Sequence, residues 1–125
     1  MPDEHPNISL LKQLDLRNLS ACGELFSDNV TWHFFNPRLP DLEGDYVGIS
    51  GIKSFFEKLR LLTAGTFRVE PVSMQTAGDE LVIAHTRNSM RFQGREIETD
   101  VVLVWRIVAG RIKEVWDIPS VYVNA

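Results

Sequence analysis

Three short turns, Ala77-Gly78-Asp79, Gln93-Gly94-Arg95 and Ala109-Gly110, cut the second half of the chain into four strand-like segments. These run from Thr66 to Met74, Leu81 to Phe92, Glu96 to Val108 and Arg111 to Ile118, and they are rich in β-branched and aromatic side chains. Such runs between glycine turns predict strands. Links this short join antiparallel neighbours, because a parallel pair needs a crossover of about a dozen residues or more. The second half is therefore expected to form an antiparallel meander.

The first half has a different period. Between 7 and 26, Ile8, Leu11, Leu14, Leu19, Cys22 and Leu25 share one stripe of a helix with about 3.6 residues per turn. This spacing predicts an amphipathic helix broken near Gly23, with Asn7 as its N-cap. Val30 to Phe35 reads as a first strand. Residues 36–48 carry Pro37, Pro40, Gly44 and Gly48 without periodicity, which predicts a long loop of the kind that covers a site. Ile49, Ile52, Phe55, Phe56, Leu59 and Leu62 then mark a second helix, ended by Ala64-Gly65. Helices followed by strands indicate an α+β fold, and 125 residues suit one core, so a single domain over 1–125 is expected.

Composition excludes several classes of partner. Thirteen basic against seventeen acidic residues give a net charge of -4 with no dense basic run, so nucleic acid is not expected as a partner. The longest apolar run, Val101 to Trp105, is far shorter than the roughly 20 residues of a membrane helix, and no membrane is expected. The acidic start, Met1-Pro2-Asp3-Glu4-His5-Pro6, lacks the basic and apolar regions of a secretory signal, so a cytoplasmic location is expected. Cys22 is the sole cysteine and reads as a core residue. Metal-binding histidine motifs, phosphate loops and nucleophile elbows are absent from the sequence, so neither metal nor cofactor is expected.

Val101-Val102-Leu103-Val104-Trp105 is apolar at every position, whereas an antiparallel strand with one wet face alternates. Both faces are therefore expected to be covered. Two or three helices can shield only one side, so a homodimer through the sheet face is the simplest cover for the other.

The order of several short pieces resembles the SnoaL-like branch of the nuclear-transport-factor-2-like (NTF2-like) superfamily. Those pieces are Phe26-Ser27-Asp28 before the first strand, Gly44 and Gly48 before the Phe55-Phe56 helix, and Gly65-Thr66-Phe67 opening the meander. Val104-Trp105-Arg106-Ile107, Gly110-Arg111-Ile112 and Glu114-Val115-Trp116 close it. The resemblance implies a cone-shaped, cystatin-like α+β barrel, with N-terminal helices packed on a curved, mainly antiparallel sheet around a pocket. It implies inward-facing Trp32 and Phe34, Thr86, Asn88 and Met90, Val101, Leu103 and Trp105, and Val115 and Asp117. Such a pocket suits a small hydrophobic cyclic or polyketide-like carbonyl compound.

Ketosteroid isomerase, a relative in that superfamily, uses an aspartate base with a tyrosine and a protonated aspartic acid at the oxyanion. The resemblance puts Phe34 and Leu103 at the base and acid positions, and the first helix has no tyrosine. Steroid-type isomerisation is therefore disfavoured, since apolar side chains neither accept a proton nor donate to an oxyanion. SnoaL-type cyclases instead place an acidic residue on the last strand, where this chain has Asp117. Desolvated by Trp105 and Trp32, Asp117 would have the raised pKa of a general base; alternatively it caps a turn before Pro119. His33 is a second candidate catalytic group, although strand parity turns it away from Trp32, and His85 falls on the same outer side. Tyr46 either caps a ligand at the pocket mouth or packs its loop onto the second helix. Two functions stay open: a cofactor-independent isomerase, cyclase or dehydratase, and a non-catalytic ligand-binding or dimeric adaptor protein.

Overall fold

The computed structural model describes residues 4 to 121; the first three residues of the acidic start lie outside the described residues. The elements are α1 (Pro6–Lys12), β1 (Phe26–Phe34), β2 (Gly44–Val47), α2 (Gly48–Leu62), β3 (Arg68–Ala77), β4 (Leu81–Phe92), β5 (Arg95–Val108) and β6 (Arg111–Pro119). The meander forms as the turns dictate, with β3 to β6 paired antiparallel in chain order. Gln93-Gly94 and Ala109-Gly110 both have two successive positive φ angles, 52° then 77°. That is the two-residue hairpin geometry whose twist matches the strands it joins.

β1 then adds alongside β6 in parallel, placing Trp32 beside Val115 and Phe34 beside Asp117. β2 pairs antiparallel with β1 and closes the order β2-β1-β6-β5-β4-β3. Two helices thus pack on a mixed, mostly antiparallel six-stranded sheet.

The α2 stripe buries Ile52, Phe55 and Leu59 against β1 and β2. Each such side chain removed from water contributes about 1.5–3 kcal/mol. Phe55 lies 5.0 to 5.8 Å, centroid to centroid, from Trp32, Phe34, Tyr46 and Phe56, so an aromatic cluster fastens helix to sheet. Cys22 is buried in the same core.

Four local expectations are corrected. The helix expected over 7–26 stops at Lys12 and gives way to 3-10 turns at Leu19–Ala21 and Gly23–Leu25. Asp15 Oδ1 accepts the Arg17 amide at 3.0 Å, a local bond that competes with helix continuation. The α1 cap is His5, whose Nδ1 accepts the Asn7 amide, while the Asn7 side chain reaches across to the Asp79 carbonyl. The loop expected over 36–48 contains β2, because β1 offers it an edge. The meander begins at Arg68, since the Thr66 hydroxyl is tied to the Thr63 carbonyl at 2.6 Å.

β5 bears on the expectation of two covered faces. Within one chain its burial alternates: Val101, Leu103 and Trp105 are buried, whereas Val102 is 38% exposed beside an Ile118 that is 45% exposed. Its outer face is open.

Candidate functional site

Asp117 is where the sheet brings chemistry into the core. β6 sets it between Leu103 of β5 and Phe34 of β1, on the face that meets α2. Its side chain is buried, and Oδ2 accepts a hydrogen bond from Trp32 Nε1 at 3.3 Å. Desolvation disfavours the charged carboxylate and outweighs that single hydrogen bond, pushing the pKa up to about 7. A group poised there accepts and releases protons near neutrality.

Two small hollows meet at this carboxyl. One, of about 160 Å³, is walled by Trp32, Leu103, Trp105, Ala84, Thr86 and the β3 residues Ser73 and Met74, with Leu11, Leu14 and Leu16 as its roof. The other, of about 50 Å³, is bounded by Phe34, Phe55, Met90 and Val101. Asp117, Asn88, Phe56 and Phe67 line both. Asn88 Oδ1 accepts the Thr86 hydroxyl at 2.8 Å, which leaves the amide NH₂ without a partner among the described residues. Carboxyl and amide therefore face the same apolar space as a proton acceptor and a hydrogen-bond donor.

Three expected site residues lie elsewhere. Val115 shares the face of Asp117 but is fully packed between Trp32 and Trp105, in neither hollow. The Tyr46 hydroxyl donates to the Leu42 carbonyl at 2.6 Å, and its ring packs on Phe55, so it anchors the loop and reaches no ligand space. His33 is on the opposite side of the sheet from Asp117, because neighbouring strand residues alternate faces. Its Nδ1 lies 2.6 Å from Asp45 Oδ1 and its Nε2 2.7 Å from Glu114 Oε2, while the ring stacks on Trp116. These contacts take it out of the pocket. His85 faces outward too, with Nε2 held by Asp100 at 2.8 Å.

Among the described residues no group of three His, Cys, Asp or Glu side chains is arranged to hold a metal ion, and no helix is long and apolar enough to cross a membrane.

Residues 10–115 match the SnoaL-like domain. This chain belongs to the SnoaL-like family. No curated protein matches its sequence. Its fold is shared by Bal32a from a soil-derived mobile gene cassette, at 22% identity over 91% of this chain and 88% of that one, with a TM-score of 0.76. An NTF2-like protein of Burkholderia pseudomallei is 20% identical over 91% and 90% of the two chains, with a TM-score of 0.78. TerC, co-crystallised with polyporic acid, is 20% identical over 92% of each chain, with a TM-score of 0.77. At these identities the likeness speaks for the fold, which is NTF2-like.

In this SnoaL-like domain the residues that sequence reasoning missed are the roof: Leu11, Leu14, Leu16, Phe56 and Phe67. Leu11, Leu14 and Phe56 stood on the helical stripes and were legible as core. Leu16 and Phe67 lie in irregular segments, and no periodic signal marks them.

His33 has a distinct pH signature. Burial lowers its pKa, but hydrogen bonds to Asp45 and Glu114 outweigh it and leave the pKa above the usual 6.5. Its stabilising contribution is present below 6.5 and is lost as the pH rises through the folded value. In Asp45→Asn the His33 ring resonances are expected to titrate at lower pH than in the parent, as read by NMR; an unchanged midpoint would remove Asp45 from this account.

Proposed function

We propose that this protein is a cofactor-independent acid/base enzyme that acts on a hydrophobic cyclic or polyketide-like carbonyl compound. One observation carries the reading: a buried carboxyl with a pKa of about 7 lies in an apolar hollow beside an amide NH₂ with no partner among the described residues. Ionised Asp117 takes a proton from the carbon next to the carbonyl, and the Asn88 amide donates to the oxygen that becomes enolate. The protonated Asp117 then returns the proton to the same or another atom, so the protein ends unchanged. Trp32, Phe34, Leu103, Trp105, Met90 and Thr86 wall and orient the substrate. The co-crystallisation of TerC with polyporic acid lends support to a small organic ligand.

The test is exchange of ligand α-protons with deuterated water, followed by NMR over a panel of cyclic ketones and diketones. Bound members are expected to exchange in the wild type. Asp117→Asn is expected to slow exchange by roughly 10²–10⁴-fold while binding persists. Binding without exchange in either protein would favour a non-catalytic ligand carrier.

We propose also that two copies pair through the outer sheet face. Val102 and Ile118 are opposite each other on β5 and β6, and Phe35 stands 49% exposed just beyond β1. Covering them would satisfy the apolar run that a single chain leaves open. The double variant Val102→Glu/Ile118→Glu is expected to sediment as a monomer with an unchanged circular dichroism spectrum. A wild type that is itself monomeric at high concentration would refute the pairing.

A further inference from the structure

Outside the Asp117 hollow, a groove of about 680 Å³ opens between the 15–20 segment, α2 and the start of β3. Four cations line it, Arg17, Lys53, Arg60 and Arg68, against one carboxylate, Glu57. Glu57 is occupied by Arg60, with its Oε1 2.7 Å from Nη2. Lys53 holds only the neutral Ser20 hydroxyl, at 2.6 Å. Arg17 and Arg68 enter no ion pair among the described residues. In a chain of net charge -4, three separate segments thus converge their positive groups on one groove.

That groove adjoins the hollow. Leu16, Phe56 and Phe67 line both, so the two share a wall of three apolar side chains. The two hollows at Asp117, about 160 and about 50 Å³, are together still smaller than the roughly 300–1,000 Å³ that encloses a typical small organic ligand. A ligand seated at Asp117 must therefore extend beyond them, and the shared wall points that extension into the groove.

We propose that the groove is the outer half of the ligand site and holds an anionic end, a carboxylate, sulfate or phosphate. The apolar body of the same molecule enters the hollow at Asp117. This rests on the reading of the hollow as a ligand site and adds the substrate class: an amphipathic small molecule with a negative group on its trailing end. The cations also keep that charge away from Asp117, which would otherwise be harder to ionise beside it.

The test uses two dyes with the same rings, anilinonaphthalene sulfonate and its sulfonate-free parent phenylnaphthylamine. Fluorescence titration at low salt is expected to show the sulfonate binding about tenfold tighter, the effect of two exposed cations on one anion. In Arg17→Ser/Arg68→Ser the preference is expected to fall within about twofold, with phenylnaphthylamine unaffected, and about 0.5 M salt should weaken it in the wild type. Both substituted positions are exposed, so the fold is expected to survive, and the salt series gives a reading without any substitution.

Equal affinity for the two dyes would overturn the groove proposal and leave the hollow intact as a neutral-ligand site. A preference undiminished in the double variant would also overturn it. Failure of both dyes to bind would bring down the hollow as a ligand site, and this inference with it.

Discussion

Asp117→Asn is expected to make the protein more stable at about pH 8, by roughly 2–3 kcal/mol, while slightly destabilising it at about pH 4. The folded carboxyl keeps its proton up to about pH 7, whereas the unfolded chain releases it near 3.8. Between those values the native state holds the extra proton, so stability falls as the pH rises, and the full penalty stands above about 7. A shift of this size corresponds to roughly 4 kcal/mol. Asparagine removes the charge and can still accept from Trp32 through its oxygen. It also brings an NH₂ group into the core, costing about 1–2 kcal/mol where no partner meets it. The difference is the net gain in alkali, and the NH₂ cost alone remains in acid. Chemical denaturation at both pH values reads the crossover.

Coupled with the loss of proton exchange expected from the same substitution, this outcome has a specific meaning. A side chain whose removal improves the fold and abolishes chemistry is retained for the chemistry. Equal stability of the two proteins at both pH values would mean that water entering the hollow already solvates the carboxylate. Asp117 would then titrate as an ordinary acid, and the proposed base would be mostly ionised but weak.

The contrast between legible and illegible features follows from the range of the forces involved. The meander was legible because its turns are local: Gln93-Gly94 and Ala109-Gly110 fix their own hairpins. The inward set Trp32, Leu103, Trp105 and Asp117 came from the family resemblance, and the register of β1, β5 and β6 places all four on one face. α2 was legible from its stripe. The end of α1 was not, since Asp15 and Asn18 lie between apolar residues that keep a helical spacing in the sequence. β2 has only four residues and exists because β1 presents an edge. The cationic groove was invisible for a further reason: Arg17, Lys53 and Arg68 are far apart in the chain, and a scan for basic runs finds nothing. Tyr46 shows the opposite error, a loop tyrosine that suggested ligand contact but satisfies its hydroxyl on a nearby carbonyl.

Phe55→Ala is the second large effect expected, a loss of about 3–5 kcal/mol. Phe55 is 1% exposed and touches four other aromatic rings, two from β1, one from β2 and one from α2 itself. Domains of this size have about 5–15 kcal/mol in total, so the variant should be folded but melt far earlier. Leu61→Ala, nearly two turns further along α2 and 65% exposed, should change stability by less than about 0.5 kcal/mol and serves as the control. Because Phe55 also bounds the inner hollow beside Asp117, its removal should admit water to the carboxyl and draw the pKa down toward the usual carboxylate range. The alkaline gain from Asp117→Asn should then shrink in the Phe55→Ala background, a coupling that a double-mutant cycle measures. Additive effects would show that the aromatic cluster holds the helix without keeping the site dry.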